Sequence, residues 1–256
     1  MRHSIRQAKA QAAEKSKKRD HPILRGAVAF FFAITLIAGG YGMFVHPETP
    51  LPRAWNPMQP LRIDDQITPL TAWKLSRASD DPALCLAALD GYASFTPMND
   101  MVISDQCHIQ DRVTLSAVGQ AKLDEVETRC AIALRLAMWE HHSLQPAAQQ
   151  FLSATVQSIT QIGSYNCRAI RTLEGTSTRM STHATAEAID ISGFQFANGE
   201  RISLLRDWDG NTPQAQFLRA ARDGACSFFK LTLSPDYNAL HADHFHLQSR
   251  GWGLCR

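Results

Sequence analysis

A long uncharged segment near the N-terminus is the feature that most constrains how this chain can fold. No Asp, Glu, Lys or Arg lies between Arg25 and Glu48, and the run is strongly apolar from residue 26 to residue 45. A helix of about 20 apolar residues is long enough to cross the hydrocarbon core of a bilayer. The sequence therefore predicts a transmembrane anchor over residues 26–45 rather than one globular core over the whole chain.

The charge on the two sides of this segment differs in sign. Residues 1–25 carry eight basic and two acidic side chains, whereas the rest of the chain has an acidic excess of four. Because basic flanks stay on the cytoplasmic side, we expect a basic cytoplasmic tail over residues 1–25 and a translocated C-terminal part. The acidic balance of that part argues against a nucleic-acid partner, which calls for a basic face.

A cleaved signal peptide is the alternative for the apolar segment. The small residues Ala38, Gly39 and Gly40 stand near its end, where a signal peptidase could cut. The long basic region and the long apolar run favour an uncleaved, single-pass anchor, because both exceed those of an ordinary signal peptide. Either way, the rest of the chain lies outside the cytoplasm.

The residues after the anchor divide into a spacer and a domain. Six prolines and little periodicity predict an extended, Pro-rich spacer over residues 46–69, followed by a globular domain over residues 70–256. Helical patterns cover residues 71–89, with a break at 80–82, and residues 130–139, 149–155 and 213–222, the last ending before Gly224. Strand patterns cover residues 102–115, 156–162, 188–192 and 228–233. Interleaved helices and short strands predict the α+β class.

All six cysteines follow the apolar segment, which places them in an oxidising compartment. None forms a CxxC pair, so a cysteine zinc knuckle is not indicated and disulfides are expected. Six cysteines allow 15 connectivities. Pairing in sequence order would give Cys85–Cys107, Cys130–Cys167 and Cys226–Cys255.

Two histidine-containing segments carry the chemistry of the sequence. One runs from Ser181 to Asp190, and the other is His241-Ala242-Asp243-His244-Phe245-His246. Strand alternation would turn Asp190 away from its apolar neighbours and would place the two histidines of the HxH pair on one face. His183, in the loop before Asp190, completes a set of three ligands: His183, Asp190 and His246.

Two imidazoles and one carboxylate leave a tetrahedral ion with one open position, which is typical of catalytic zinc. The sequence therefore predicts one Zn²⁺ per chain and hydrolysis of an amide. Proton transfer needs a nearby acid or base, and the candidates by proximity in sequence are Asp243, His244 and His241. The other histidines of the domain, His108, His141 and His142, have no such context and are expected to be structural or on the surface.

These motifs resemble the superfamily of lysostaphin-type endopeptidases, zinc D-alanyl-D-alanine carboxypeptidases and hedgehog signalling domains. They resemble the bacterial extensin-like C-terminal domain family more closely, over about residues 70–256. The motifs that carry this closer resemblance are Tyr165-Asn166-Cys167-Arg168, Ser181-Thr182-His183-Ala184, Ala188-Ile189-Asp190-Ile191-Ser192-Gly193-Phe194, Phe217-Leu218-Arg219 and the histidine segment 241–247.

The resemblance implies a small antiparallel sheet with flanking helices, zinc on the three ligands named above, and cleavage of peptidoglycan peptides. The HxxHxH spacing also resembles penicillin-insensitive murein endopeptidases, which favours His244 as the catalytic residue. The carboxypeptidases instead use an acid three residues before the last ligand, the offset of Asp243. Arg168 and Ser181 match loosely as substrate-binding residues, although Arg168 can equally be an ordinary ion-paired residue and Ser181 a loop cap.

One position differs from the carboxypeptidase motif, and a charged residue lies next to it. Ala186 replaces a glycine that is usual in the carboxypeptidase motif, a mild change if the backbone there avoids positive φ. Glu187 is either an outer partner of a ligand histidine or a solvated charge.

The resulting hypothesis is a zinc metallopeptidase anchored in the inner membrane by a single pass, with its C-terminal domain in the periplasm and peptidoglycan as its partner. The alternative is a non-catalytic, zinc-containing domain that binds or scaffolds the cell wall. The sequence indicates no particular protein partner.

Overall fold

The computed structural model describes residues 22–46 and 48–256, so most of the predicted basic tail lies outside the described residues. The chain divides into two compact units, Met1–Pro52 and Arg53–Arg256. In the first unit, helix α1 spans Pro22–Val45. Its stretch Ile23–Val45, 23 residues in length, is long and apolar enough to cross a membrane, a criterion that a signal sequence near the N-terminus also meets.

The second unit is an α+β fold, which confirms the predicted class. Its helices are α2 (Thr71–Ser79), α3 (Pro82–Leu89), α4 (Cys130–Trp139), α5 (Gln145–Leu152), α6 (Leu204–Asp207) and α7 (Pro213–Phe228). A π-helical turn, Glu140–Leu144, joins α4 to α5. The strands are β1 (Ala93–Pro97), β2 (Met101–Ser104), β3 (Cys107–Ile109), β4 (Arg112–Val118), β5 (Ala121–Arg129), β6 (Val156–Gly163), β7 (Ala169–Thr172), β8 (Gly175–Met180), β9 (Ala188–Phe196), β10 (Arg201–Ser203), β11 (Leu231–Leu233), β12 (Phe245–Gln248) and β13 (Leu254–Cys255).

The main sheet has nine strands in the order β1-β4-β5-β6-β9-β12-β11-β13, with β10 paired to β9. The pairings are antiparallel except for β5–β6 and β11–β13. Two hairpins, β2–β3 and β7–β8, stand outside this sheet. Strands β9 and β12 are neighbours near its middle, so residues on them are held by partners on both sides.

Aromatic side chains of β9 and the helices form the centre of the core. Phe194 packs edge-on against Trp139 of α4 and against Phe217 of α7, with ring centroids 6.1 and 5.3 Å apart. Phe196 contacts Phe217 in the same way at 5.2 Å. Large buried aromatic rings contribute much of a core's hydrophobic stabilisation. The helices therefore pack against the second half of β9.

Several predicted boundaries differ from the structure. Residues 53–69, expected as part of an extended spacer, belong to the second unit, where Leu61 and Ile63 are buried in its core. The last predicted helix does not end before Gly224 but continues to Phe228. Gly224 is needed for close packing instead, because a Cβ there would lie 2.3 Å from the Cβ of Ser143.

The disulfides are Cys85–Cys130, Cys107–Cys167 and Cys226–Cys255. Pairing in sequence order is therefore wrong for the first four cysteines and correct for the last pair. The reason lies in the tertiary packing: α3 carries Cys85 against the start of α4, while β3 carries Cys107 against the loop that precedes β7. Sequence order contains no information on these contacts.

Candidate metal centre

Strand pairing places two of the predicted ligands directly opposite each other. In the antiparallel pair β9–β12, Asp190 is the register partner of His246. Their neighbours Ile189, Ile191 and Phe245 are fully buried, as period-two alternation predicts for a strand with one apolar face. Asp190 and His246 therefore share the other face, where their side chains meet.

The third residue, His183, comes from a short 3-10 turn, Thr182–Thr185, that precedes β9. The Ser181 side chain caps the turn by accepting a hydrogen bond from the His183 backbone N–H at 3.3 Å. Ala186 ends the turn with φ +48°, in the left-handed region. Ala186 is therefore not a mild replacement for glycine. Its backbone has a positive φ, which glycine adopts without strain and alanine does not.

The donor atoms of the three residues converge. His183 Nε2 lies 3.2 Å from Asp190 Oδ2 and 3.1 Å from His246 Nδ1, and His246 Nδ1 lies 2.7 Å from Asp190 Oδ1. Zinc bonds of about 2.0–2.1 Å at tetrahedral angles set donor atoms about 3.3 Å apart. The donors lie within 4.8 Å of one another, and the group fits a metal ion by spacing and by chemistry.

Outer contacts fix which nitrogen of His183 faces the site. Its Nδ1 lies 2.8 Å from the backbone carbonyl of Ser164, and a carbonyl can only accept, so Nδ1 carries a proton and Nε2 is the nitrogen that faces the site. Ser164 is itself fixed, because its hydroxyl donates to the Ala188 carbonyl and contacts Thr128 Oγ1. This network ties the His183 ring to β5 and β9.

His246 has a comparable outer partner in Gln248. The amide of Gln248 contacts His246 Nε2 at 2.6 Å, which leaves Nδ1 for the site. Sequence analysis did not single out Gln248 or Ser164. The sequence does contain a signal for Gln248, since it lies two residues beyond His246 and so shares its strand face. It contains none for Ser164, because the atom that contacts His183 is a backbone carbonyl and does not depend on the side chain.

The surroundings of Asp190 and His246 favour the deprotonated forms of these side chains, which are the forms that bind a metal ion. Burial alone would raise the pKa of the Asp190 carboxyl, but hydrogen bonds from His183 and His246 outweigh it and hold this pKa well below its usual range. Burial lowers the pKa of His246, with only partial compensation by Asp190. Asp190 is thus a carboxylate and His246 a neutral imidazole at neutral pH, as a divalent ion requires.

The three candidate proton-transfer residues lie beside this group. His244 Nε2 is 3.7 Å from Asp190 Oδ1, while its Nδ1 is 2.7 Å from Asp243 Oδ1. His241 Nδ1 lies 2.7 Å from Asn238 Oδ1, and its ring centroid is 5.3 Å from that of His244. Burial, together with the neighbouring His246 and His244, lowers the pKa of His241 to about 4, so this ring is neutral at neutral pH.

A groove of about 1460 Å³ runs along the site. Asp190, His244 and His246 line it, as do both predicted substrate-binding residues, Arg168 and Ser181. The backbone carbonyl of Arg168 accepts from the Ser181 N–H at 3.0 Å, which joins the two segments that carry them. Ser181 therefore both caps the turn of His183 and borders the groove.

Glu187 fits neither of the two roles considered for it. Its carboxylate lies 2.9 Å from Arg129 Nη1, 2.5 Å from Arg250 Nη1 and 2.7 Å from the Thr185 hydroxyl, and 13 % of its side chain is exposed. These contacts brace the turn that carries His183 from outside. Glu187 therefore stabilises this turn through its ion pairs with Arg129 and Arg250.

Comparison with known proteins gives one match. A family model described as "Extensin-like protein C-terminus" matches residues 83–256, which is more than half of the chain. Neither the curated proteins nor the solved structures contain a match.

Proposed function

This chain belongs to the extensin-like C-terminal family, and from that premise we propose that it is a membrane-anchored, periplasmic zinc peptidase that hydrolyses amide bonds in peptidoglycan stem peptides. The observation that carries the proposal is the group His183, Asp190 and His246, of which Asp190 and His246 line a large groove together with His244. Peptidoglycan as substrate and the periplasm as location rest on the resemblance of the motifs to cell-wall peptidases.

The three residues would hold zinc through His183 Nε2, His246 Nδ1 and an Asp190 oxygen. This set of two imidazoles and a carboxylate is typical of hydrolytic sites, and the groove supplies access to a fourth position. When bound there, zinc supplies a Lewis acid that polarises a carbonyl and lowers the pKa of water. One ion per chain satisfies this geometry.

His244 is the residue placed to move a proton. The Asp243 carboxylate accepts from His244 Nδ1, which leaves the lone pair of Nε2 directed toward Asp190 and the groove. With 57 % of its side chain exposed and with His244 between it and the site, Asp243 acts as the positioning partner of this pair. We therefore assign the general base and acid to His244 and a supporting role to Asp243. His241 is the third candidate. Its neutral ring packs against the ring of His244 and would restrict the motion of that ring.

Four arginines and three carboxylates, Glu174, Asp190 and Asp243, line the groove, and the arginines are the candidates for holding an acidic peptide. Arg168, Arg171 and Arg179 line it on the β7–β8 side, and Arg250 lines it near β12. Arg171 and Arg179 are exposed and can reach a ligand without losing a buried partner. Arginine binds carboxylates through two parallel hydrogen bonds, which orients a peptide end as well as attracting it.

The deciding experiment uses the full-length protein in detergent micelles, with bound zinc measured by elemental analysis, incubated with purified peptidoglycan. Released muropeptides are measured by mass spectrometry for wild type, His244→Ala, His246→Ala and the control His141→Gln. We expect wild type and the control to release products, because His141 does not line the groove and contacts Tyr92 instead. His246→Ala should lose both zinc and activity, while His244→Ala should keep zinc and lose activity by about 10²-fold or more.

A zinc-loaded wild type that releases nothing would refute the peptidase and favour a non-catalytic domain that binds or scaffolds the cell wall. Loss of zinc without loss of product release would refute the metal mechanism. The membrane anchor is tested separately: an uncleaved, full-length chain should sediment with membranes, whereas a soluble form that lacks α1 would show that the apolar helix is a signal sequence.

A further inference from the structure

A second cavity, of about 320 Å³, has Glu187 in its lining and plays no part in the proposed chemistry. Its ionisable lining consists of four cations and two carboxylates: Arg129, Arg135, Lys230, Arg250, Asp80 and Glu187. The lining therefore has a net charge of about +2. Three serine side chains add hydroxyl groups to the wall.

Three residues of this lining have a buried donor without an acceptor. Arg135 is 3 % exposed; its Nη1 donates to the Phe228 carbonyl, but its Nε is buried and has no hydrogen-bond partner. The Nε of Arg129 and the hydroxyl of Ser79, both in the lining, are also buried and unpartnered. Buried polar atoms are nearly always paired in folded proteins, so three unpartnered donors among the residues of one lining distinguish this cavity from an ordinary surface depression.

The two carboxylates do not satisfy these donors. Glu187 is engaged by Arg129 Nη1, Arg250 and Thr185. Burial lowers the pKa of Arg135 to about 10, and Asp80 offsets this only in part, so the guanidinium is charged at neutral pH, and among the described residues Asp80 is its nearby carboxylate without forming a salt bridge to it. A buried cation of this kind requires an anion or hydrogen-bond acceptors nearby.

We propose that this cavity is a binding site for a small, doubly charged oxyanion of the phosphate class, held by Arg135, Arg129, Lys230 and Ser79. The cavity has room for about ten water-sized volumes, so it accommodates a phosphate that carries a small organic group as well as the free ion. Arg250 also lines the groove beside the metal-ligand group, so the two sites share one wall. The proposal does not depend on the proposed peptidase activity.

The test is isothermal titration calorimetry of the full-length protein, in a phosphate-free detergent at low salt, with inorganic phosphate and, separately, with glycerol 3-phosphate. The protein is stripped of metal with EDTA, so that phosphate cannot bind through a metal ion. Wild type should bind one anion per chain. Arg135→Met should weaken binding at least about tenfold, because it removes a charged donor.

Lys230→Gln removes a charge from an exposed residue of the cavity lining. This variant serves as the test if Arg135→Met fails to fold. It should weaken binding several-fold, whereas Lys122→Gln, the same charge change on an exposed position of β5 outside the cavity lining, should not. Binding of both probes, or of either one alone, supports the site and identifies the free ion or a phosphate ester as its ligand. Folded wild type that binds neither probe at about 10 mM, or equal weakening by Lys230→Gln and Lys122→Gln, would overturn the proposal.

Discussion

Gln248 offers a sharp test of the candidate metal centre, because it contacts the proposed ligand His246 without being a ligand itself. Its amide lies 2.6 Å from His246 Nε2. Without metal, His246 Nδ1 donates to Asp190 and the amide N–H can donate to Nε2. When Nδ1 gives its lone pair to a metal, Nε2 must carry the proton, and the amide oxygen can turn to accept it.

The size of the effect follows from the change in that hydrogen bond. Metal binding draws charge from the imidazole, so the Nε2–H bond to the amide becomes charge-assisted. Hydrogen bonds with a charged partner contribute about 1.5–3 kcal/mol and neutral ones about 0.5–1.5 kcal/mol. The difference, about 1–1.5 kcal/mol, corresponds to roughly a tenfold loss of zinc affinity in Gln248→Leu.

The assay is competition for zinc between the full-length protein in detergent and a chromophoric chelator at neutral pH. Gln248→Glu is the matched variant: it keeps an acceptor for Nε2–H and should bind zinc at least as tightly as wild type. Unchanged affinity in a folded Gln248→Leu protein would refute the outer-partner role. Equal losses in the two variants would show that the amide acts through packing rather than through the hydrogen bond.

Three further predictions concern stability. Chelation of metal should lower the Tm of wild type but not of His183→Ala, because an ion bound only to the folded state at 100 times its Kd adds about 2.7 kcal/mol; equal shifts by calorimetry would contradict this. Gly193→Ala should reduce the free energy of unfolding by about 1–3 kcal/mol, because the new Cβ would lie 2.5 Å from the Ile202 carbonyl of β10; an unchanged urea midpoint would contradict the close strand packing. Burial lowers the pKa of His142, whose Nε2 lies 2.7 Å from the Ile63 carbonyl, below its ordinary 6.5. Its contribution to stability is complete above pH 6.5 and declines as the pH falls through the lowered pKa, so the difference between wild type and His142→Gln should shrink on acidification, and a constant difference would contradict it.

The sequence was informative where a local pattern determines the structure. Alternation around Asp190 and in the HxH pair predicted strands β9 and β12 with their polar residues on one face, and the break before Pro82 predicted the boundary between α2 and α3. The strand register that sets Asp190 opposite His246 could not be derived this way, because it depends on tertiary packing. His183 was proposed as the third member from its position in the loop before Asp190, and the resemblance of the motifs agreed with that choice.

Other features depend on contacts between distant segments and left no local signal. The disulfide partners of Cys85 and Cys107 are set by helix packing and by a hairpin that folds onto a loop. The prolines of residues 53–69 are typical of a linker, yet Leu61 and Ile63 are buried in the core of the second unit. The anion cavity involves arginines from separate elements, whose convergence is visible only in three dimensions.

The disulfide Cys107–Cys167 links the metal centre to the redox state of its compartment. Cys167 follows Asn166, whose backbone N–H donates to the His183 carbonyl at 3.0 Å, so the bridge anchors the segment against which the His183 turn is set. A thiol-reducing environment leaves that segment untied, and the chain should then take up metal poorly until the disulfide has formed. Metal content measured for the same chain with the disulfide reduced and with it oxidised would reveal this dependence.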